Sequence, residues 1–145
     1  MRPGAMSKPG EAVTIRRAEL PDRDGIEKLL QSASEGRLNE REQFVSLLPA
    51  RLGKREILVA ELGGEILGVA AVVRGILEGP FVEPARRGRG VGRALIGEAT
   101  HEARRRGLAL VVLCDLEASG FYKRCGFAPE VETKAPSGAA LTMSR

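Results

Sequence analysis

The residues best suited to chemistry sit together in the segment Pro84-Ala85-Arg86-Arg87-Gly88-Arg89-Gly90-Val91-Gly92-Arg93. Three glycines within five positions let the backbone turn tightly and bring its N–H groups close to a ligand. A helix with apolar periodicity follows from Val91 and points its partial positive end at the same place. Four arginines add donors matched to phosphate oxygens, so the segment reads as an anion site for a phosphorylated ligand. Two common nucleotide motifs do not fit. A Walker loop needs Lys-Ser or Lys-Thr where this chain has Arg93-Ala94, and dinucleotide spacing would require glycine at Arg93 or Leu95.

Elsewhere the reactive side chains are few. Tyr122 and His101 are the single tyrosine and the single histidine. His101 falls on the helix face opposite Val91, Leu95, Ala99 and Ala103, and reads as an exposed helical residue. Cys114 and Cys125 have no evident activating base and read as buried free thiols. Two Cys and one His cannot fill a tetrahedral zinc site alone, and no metal is expected. Glu78 and Glu83 are the acids nearest the glycine turn. In an ideal strand their odd separation puts them on opposite faces, unless Gly79-Pro80 introduces a bulge.

The elements that must hold these residues follow from periodicity. A short strand is expected at 13–17. A helix then opens at Pro21-Asp22 and carries Ile26, Leu29, Leu30 and Ala33 on one face. Asn39 with Glu42 resembles a capping box ahead of a second helix, which is expected to stop near Pro49. Strands at 56–62 and 65–73 are joined by the Gly63-Gly64 turn, and another at 76–83 ends at Pro84. The helix at 91–106 is closed by Gly107. The continuous apolar run at 108–114 suggests a central strand. A helical segment at 117–125 and a hairpin of 127–133 with 139–143 complete the chain. The order β-α-α-β-β-β-α-β-α-β-β implies a mixed α/β fold, a twisted mixed sheet flanked by helices.

The totals set the frame. The 145 residues suit one domain, expected at 13–145 behind a leader at 1–12 that shows no periodicity. An apolar fraction of 43% and a charged fraction of 29% are those of a globular protein, and with aromatics at 3% the aliphatic residues must form the core. The net charge of +4 allows an anionic partner. A small basic nucleic-acid-binding domain is the rival reading that charge motivates, but no aromatics are interleaved with the basic residues for base stacking, and no nucleic-acid partner is expected. No run approaches the roughly 20 apolar residues of a membrane span, and 1–11 lacks a signal-peptide core, so a cytoplasmic protein with no membrane partner is expected.

Read as R-x-x-G-x-G, Arg87-x-x-Gly90-x-Gly92 resembles the coenzyme A pyrophosphate motif of the GNAT N-acetyltransferase superfamily. Phe81-Val82-Glu83-Pro84 is similar to the strand end before that turn, and Arg93-Ala94-Leu95-Ile96 to the helix start after it. Downstream, Ala118-x-x-Phe121-Tyr122-x-x-x-Gly126-Phe127 resembles a second element of the family, in the expected order. The resemblance extends over 13–145. The stretch 113–136 is also faintly similar to amino-acid N-acetyltransferases of the N-acetylglutamate synthase type.

The resemblance implies the GNAT fold and direct transfer of acetyl from acetyl-CoA to a small-molecule or peptide amine, in a ternary complex. It assigns Arg87, Gly88, Arg89, Gly90, Val91, Gly92 and Arg93 to the pyrophosphate. Phe81, Val82 and Glu83 are assigned to the pantetheine arm, with the Val82 N–H polarising the acetyl carbonyl. Tyr122 becomes both a coenzyme contact and the general acid for the thiolate, and Glu78 the preferred general base. Asp115 stands where many members carry Asn, and an ionised Asp accepts hydrogen bonds without donating them. A homodimer is common in such families, and a coenzyme-binding regulatory module without turnover is the alternative.

Overall fold

The computed structural model describes residues 13–33, 38–135 and 138–145; the leader expected at 1–12 lies outside them. The order is β1 (Thr14–Arg17), α1 (Arg23–Ala33), α2 (Leu38–Gly53), β2 (Ile57–Leu62), β3 (Glu65–Val73) and β4 (Ile76–Val82). It continues with α3 (Val91–Arg105), β5 (Val111–Asp115), α4 (Ser119–Arg124), β6 (Ala128–Ala135) and β7 (Gly138–Ser144). This is the expected order. The strands form one seven-stranded sheet, β1-β2-β3-β4-β5-β7-β6. Only β4 and β5 run parallel; every other pair is antiparallel.

Alternation along β2 builds a core on each face of the sheet. Leu58 and Ala60 join Leu95, Ile96, Ala99 and Phe127 beneath α3 and α4, whereas Ile57 and Val59 join Ile26, Leu30, Phe44 and Leu48 beneath α1 and α2. The Gly63-Gly64 hairpin has φ of +57° and +83°, as a two-residue turn matched to strand twist requires.

Two elements differ most from the sequence reading. Helix α2 does not stop at Pro49 but runs through it to Gly53, and it starts at Leu38, which puts Asn39 inside its first turn. An interior proline costs about 3 kcal/mol by removing one ladder bond. Phe44, Leu48 and Leu52, spaced four apart, are all buried, and each large side chain contributes about 1.5–3 kcal/mol. Burial therefore outweighs the proline. The second difference is β5, which starts at Val111 rather than at 108. Gly107, at φ +72°, donates to Arg104 O, and Leu108 donates to Ala103 O. That pair of bonds is the Schellman closure of α3, so Leu108 belongs to the helix end.

Candidate functional site: a split sheet beside an arginine-rich turn

The site grows from how little β4 and β5 pair. They are in register only at Ile76↔Val111 and Leu77↔Val112. Beyond these, β4 stays with β3 and β5 with β7, and a wedge opens between them.

A bulge in β4 shapes that wedge. Val69 pairs with Phe81 and Ala71 with Glu78, so Ala70 alone opposes Gly79 and Pro80. The extra residue reverses the alternation. Leu77 packs in the core under α3, whereas Phe81, four residues on, packs in the core under α1 and α2. The bulge allowed by Gly79-Pro80 is thus present. Glu78 faces α2, where its carboxylate accepts a bidentate pair of bonds from the buried Arg51: one from Nη1 to Oε1, and one from Nη2 to Oε2 at 2.8 Å.

After β4 the chain makes the glycine turn. Gly88 and Gly90 have φ of +76° and +84°, in the left-handed region that side chains disfavour, and Gly90 is the N-cap of α3. The first bond of the helix runs from Ala94 N to Gly90 O at 2.9 Å. The N–H groups of Val91, Gly92 and Arg93 therefore have no intrahelical acceptor, which is the usual origin of an anion site. A Cβ on Gly92 would stand 3.4 Å from both Phe121 and Pro80, so the helix start lies tight against α4 and the bulge.

Two chambers meet at the wedge. The larger, 590 Å³, has Val82, Arg87, Gly88, Gly90, Val91, Gly92 and Arg93 in its wall, together with Pro80, Arg86, Phe121 and Arg124. The smaller, 300 Å³, has Glu78, Phe81, Asp115 and Tyr122 in its wall, together with Gln43 and Phe44 from α2. Gly79-Pro80 and Phe121-Tyr122 each give one residue to each chamber. Among the expected cofactor residues, Glu83 and Arg89 line neither. The Glu83 N–H donates to Leu67 O at 2.8 Å and its carboxylate lies 3.8 Å from Arg86. Arg89 is exposed.

Tyr122 is buried on α4 with its ring edge-on to Phe121 and Phe127, at 5.2 and 5.6 Å between centroids. Its hydroxyl donates to Gly79 O at 2.7 Å, which fixes the phenol at the bulge. Asp115 accepts from the Ala118 N–H at 2.8 Å and so helps shape the turn into α4. Because Glu83 N–H points to β3, backbone alternation turns the Val82 N–H toward the wedge. The Val82 carbonyl accepts from Arg87 Nε at 3.4 Å, and Arg87 Nη2 also reaches Ala33 O at 3.2 Å.

The remaining candidates fall away from chemistry. His101 is exposed. Cys114 and Cys125 are free and buried; burial pushes both thiols up, and the Asp115 carboxylate adds to this at Cys114. Among the described residues no group of three His, Cys, Asp or Glu could hold a metal ion. Sequence reasoning did not select Arg124 or Arg51 for the site. Arg124 has a readable signal, since it lies three residues after Phe121 on the same helix and thus on the same face. Arg51 lies beyond Pro49, where no helix was expected.

The arrangement fits a coenzyme with a pyrophosphate and a long thin arm. Free N–H groups and arginines supply the anion cradle, and the wedge supplies a channel edged by unpaired strand backbone.

Residues 53–129 match the family described as acetyltransferase (GNAT) domain. The chain is 35% identical to glucosamine 6-phosphate N-acetyltransferase 1 of Oryza sativa subsp. japonica, over 81% of this chain and 82% of the relative. A GCN5-related N-acetyltransferase structure from Rhodopseudomonas palustris superposes with a TM-score of 0.76 at 22% identity, covering 98% of this chain and 99% of that one. The structure of yncA, a putative acetyltransferase from Salmonella typhimurium with its cofactor acetyl-CoA, superposes at 0.68 and 22% identity, covering 92% of each. The chain belongs to the GNAT acetyltransferase family, and acetyl-CoA-dependent N-acetyl transfer is the activity that this membership carries.

Proposed function

We propose that the protein transfers acetyl directly from acetyl-CoA to a primary amine in a ternary complex, without an acetyl-enzyme intermediate. The observation that carries this reading is the placement of two chambers on either side of Gly79-Pro80 and Phe121-Tyr122, one arginine-rich and one facing α2. Acetyl-CoA supplies an activated acyl thioester when bound. The pyrophosphate lies on the N–H groups at Val91, Gly92 and Arg93, with Arg87 and Arg124 as charged donors. The Val82 N–H polarises the acetyl carbonyl. Tyr122, with its hydroxyl held at Gly79 O, protonates the departing thiolate; a phenol with a pKa of about 10 is a suitable donor.

The amine enters from the chamber beside α2. Glu78 is the acid on β4 that faces it, and we assign it as the general base. Arg51 occupies one lone pair on each of its oxygens, and a second remains on each to accept from the incoming ammonium. Asp115 keeps its backbone contact and leaves the pantetheine to main-chain partners. The buried thiols lack the thiolate character that a covalent acetyl carrier needs.

No helix among the described residues is long and apolar enough to cross a membrane. Two free buried cysteines suit a reducing compartment, and we assign the protein to the cytoplasm. The relative named for glucosamine 6-phosphate acts on a small-molecule amine, which supports the same broad acceptor class here. Initial velocities measured against both substrates test the direct route. Intersecting double-reciprocal lines are expected, whereas parallel lines would establish an acetyl-enzyme and overturn it.

A further inference from the structure

The two chambers on either side of Phe121-Tyr122 carry opposite charge. The larger gathers Arg86, Arg87, Arg93 and Arg124. Among the described residues, the smaller is lined by two carboxylates, Glu78 and Asp115, and by no Lys, Arg or His. Arg51 offsets the charge of Glu78 through its bidentate pair, whereas Asp115 accepts from the neutral Ala118 N–H. The net local charge is therefore negative. Much of the remaining wall is apolar, with Ile76 and Leu113 exposed at 50% and 64%.

An acceptor entering this chamber gives up water. A phosphate or carboxylate on its body would be partly desolvated with no cation among the described wall residues, since Arg51 is already held by Glu78, and with the exposed Asp115 nearby, so its entry is penalised twice. An alkyl body meets Ile76 and Leu113, and a second ammonium meets a carboxylate. We infer that the chamber selects primary amines that carry no anionic group and rejects those bearing phosphate or carboxylate. This rests on the acetyl-transfer reading and deepens it by naming the acceptor class. It sets the chain apart from the relative named for a sugar phosphate, and from the amino acids suggested by the resemblance at 113–136.

A matched series tests the inference: pentylamine, 1,5-diaminopentane and 5-aminopentanoate differ only at the far end, and glucosamine with glucosamine 6-phosphate adds a second comparison. Coenzyme A release should give kcat/KM at least about tenfold higher for the members without an anion, the scale of one uncompensated charge in a partly desolvated site. In Leu113→Arg, an exposed position on the acceptor chamber's wall, the ratio for 5-aminopentanoate over pentylamine should rise by about tenfold. Preference for the carboxylate or phosphate in the parent protein overturns the inference while leaving acetyl transfer intact. An unchanged ratio in the variant, or no transfer to any of the five while acetyl-CoA still binds by calorimetry, overturns it as well. Failure to bind acetyl-CoA strikes the underlying reading instead.

Discussion

The Tyr122 hydroxyl donates a 2.7 Å hydrogen bond to the Gly79 carbonyl, tying α4 to the bulge of β4 across the wedge in the sheet. The bond joins two features that are far apart in sequence. One is the bulge at Gly79-Pro80, which reverses the alternation of β4 so that Phe81 shares the face of Glu78. The other is the short helix that carries the phenol. Together they put the Tyr122 phenol, the Glu78 carboxylate and a strand edge around the same 300 Å³ chamber.

The ion pair behind that chamber should matter to stability as well. Arg51 is buried and Glu78 is one-third exposed, so losing the pair should cost less than the 3–5 kcal/mol of a fully buried one. Arg51→Ala is expected to lower unfolding free energy by about 2 kcal/mol in urea titration, with Glu78→Gln costing less because its amide still accepts a bond. An Arg51→Ala protein as stable as the parent would show that the pair is a loose surface contact.

The turn offers a second check. Ala at Gly90 meets no steric neighbour but must hold φ near +84°, so Gly90→Ala should cost about 1–2 kcal/mol of stability and weaken acetyl-CoA binding. Arg124→Ala, at an exposed position, should leave stability unchanged and raise the Kd for acetyl-CoA by roughly tenfold, with a shallower dependence on salt. Equal Kd values in the parent and Arg124→Ala would remove that arginine from the coenzyme site.

Much of this was legible in the sequence. Strand and helix order follow from apolar periodicity, and the glycine turn declares itself because left-handed backbone and unpaired N–H groups demand Gly88 and Gly90. What was not legible depends on contacts between distant segments. Helix α2 passes through Pro49 because Phe44, Leu48 and Leu52 are buried against α1 and the sheet, which local propensity does not register. Arg51 is hidden by the same error. The start of β5 was misplaced because Leu108 is apolar like a strand residue yet serves to cap α3. The placing of Glu83 beside the coenzyme arm is implied by the family resemblance, and only strand pairing shows where its N–H goes, to Leu67.

Acid should loosen the join between β1 and α1. Arg16 holds Asp22 by two bonds, at 2.8 and 2.9 Å, and this guanidinium keeps the Asp22 carboxyl below its ordinary value of 3.8. A depressed carboxylate contributes stability above its unfolded value and loses it as pH falls through the folded one. Thermal melts from pH 5 down to pH 2 should therefore show a smaller acid-induced fall in Tm for Asp22→Asn than for the parent. Parallel curves would mean that the pair contributes nothing.

The two thiols should be silent in the folded protein. Both are buried, and burial raises their pKa, so iodoacetamide at neutral pH should label neither until denaturant is added. Rapid labelling of Cys114 in the native state would reopen its role as a nucleophile.

The proposed role of Tyr122 is to protonate the leaving thiolate rather than merely to pack in the wedge. Tyr122→Phe keeps the ring and its edge-on contacts and removes only the hydroxyl. With folding verified by circular dichroism, kcat should fall by about 100-fold or more while the Kd for acetyl-CoA stays within about threefold, as for the loss of a general acid. An unchanged kcat, or a loss confined to coenzyme binding, would contradict it.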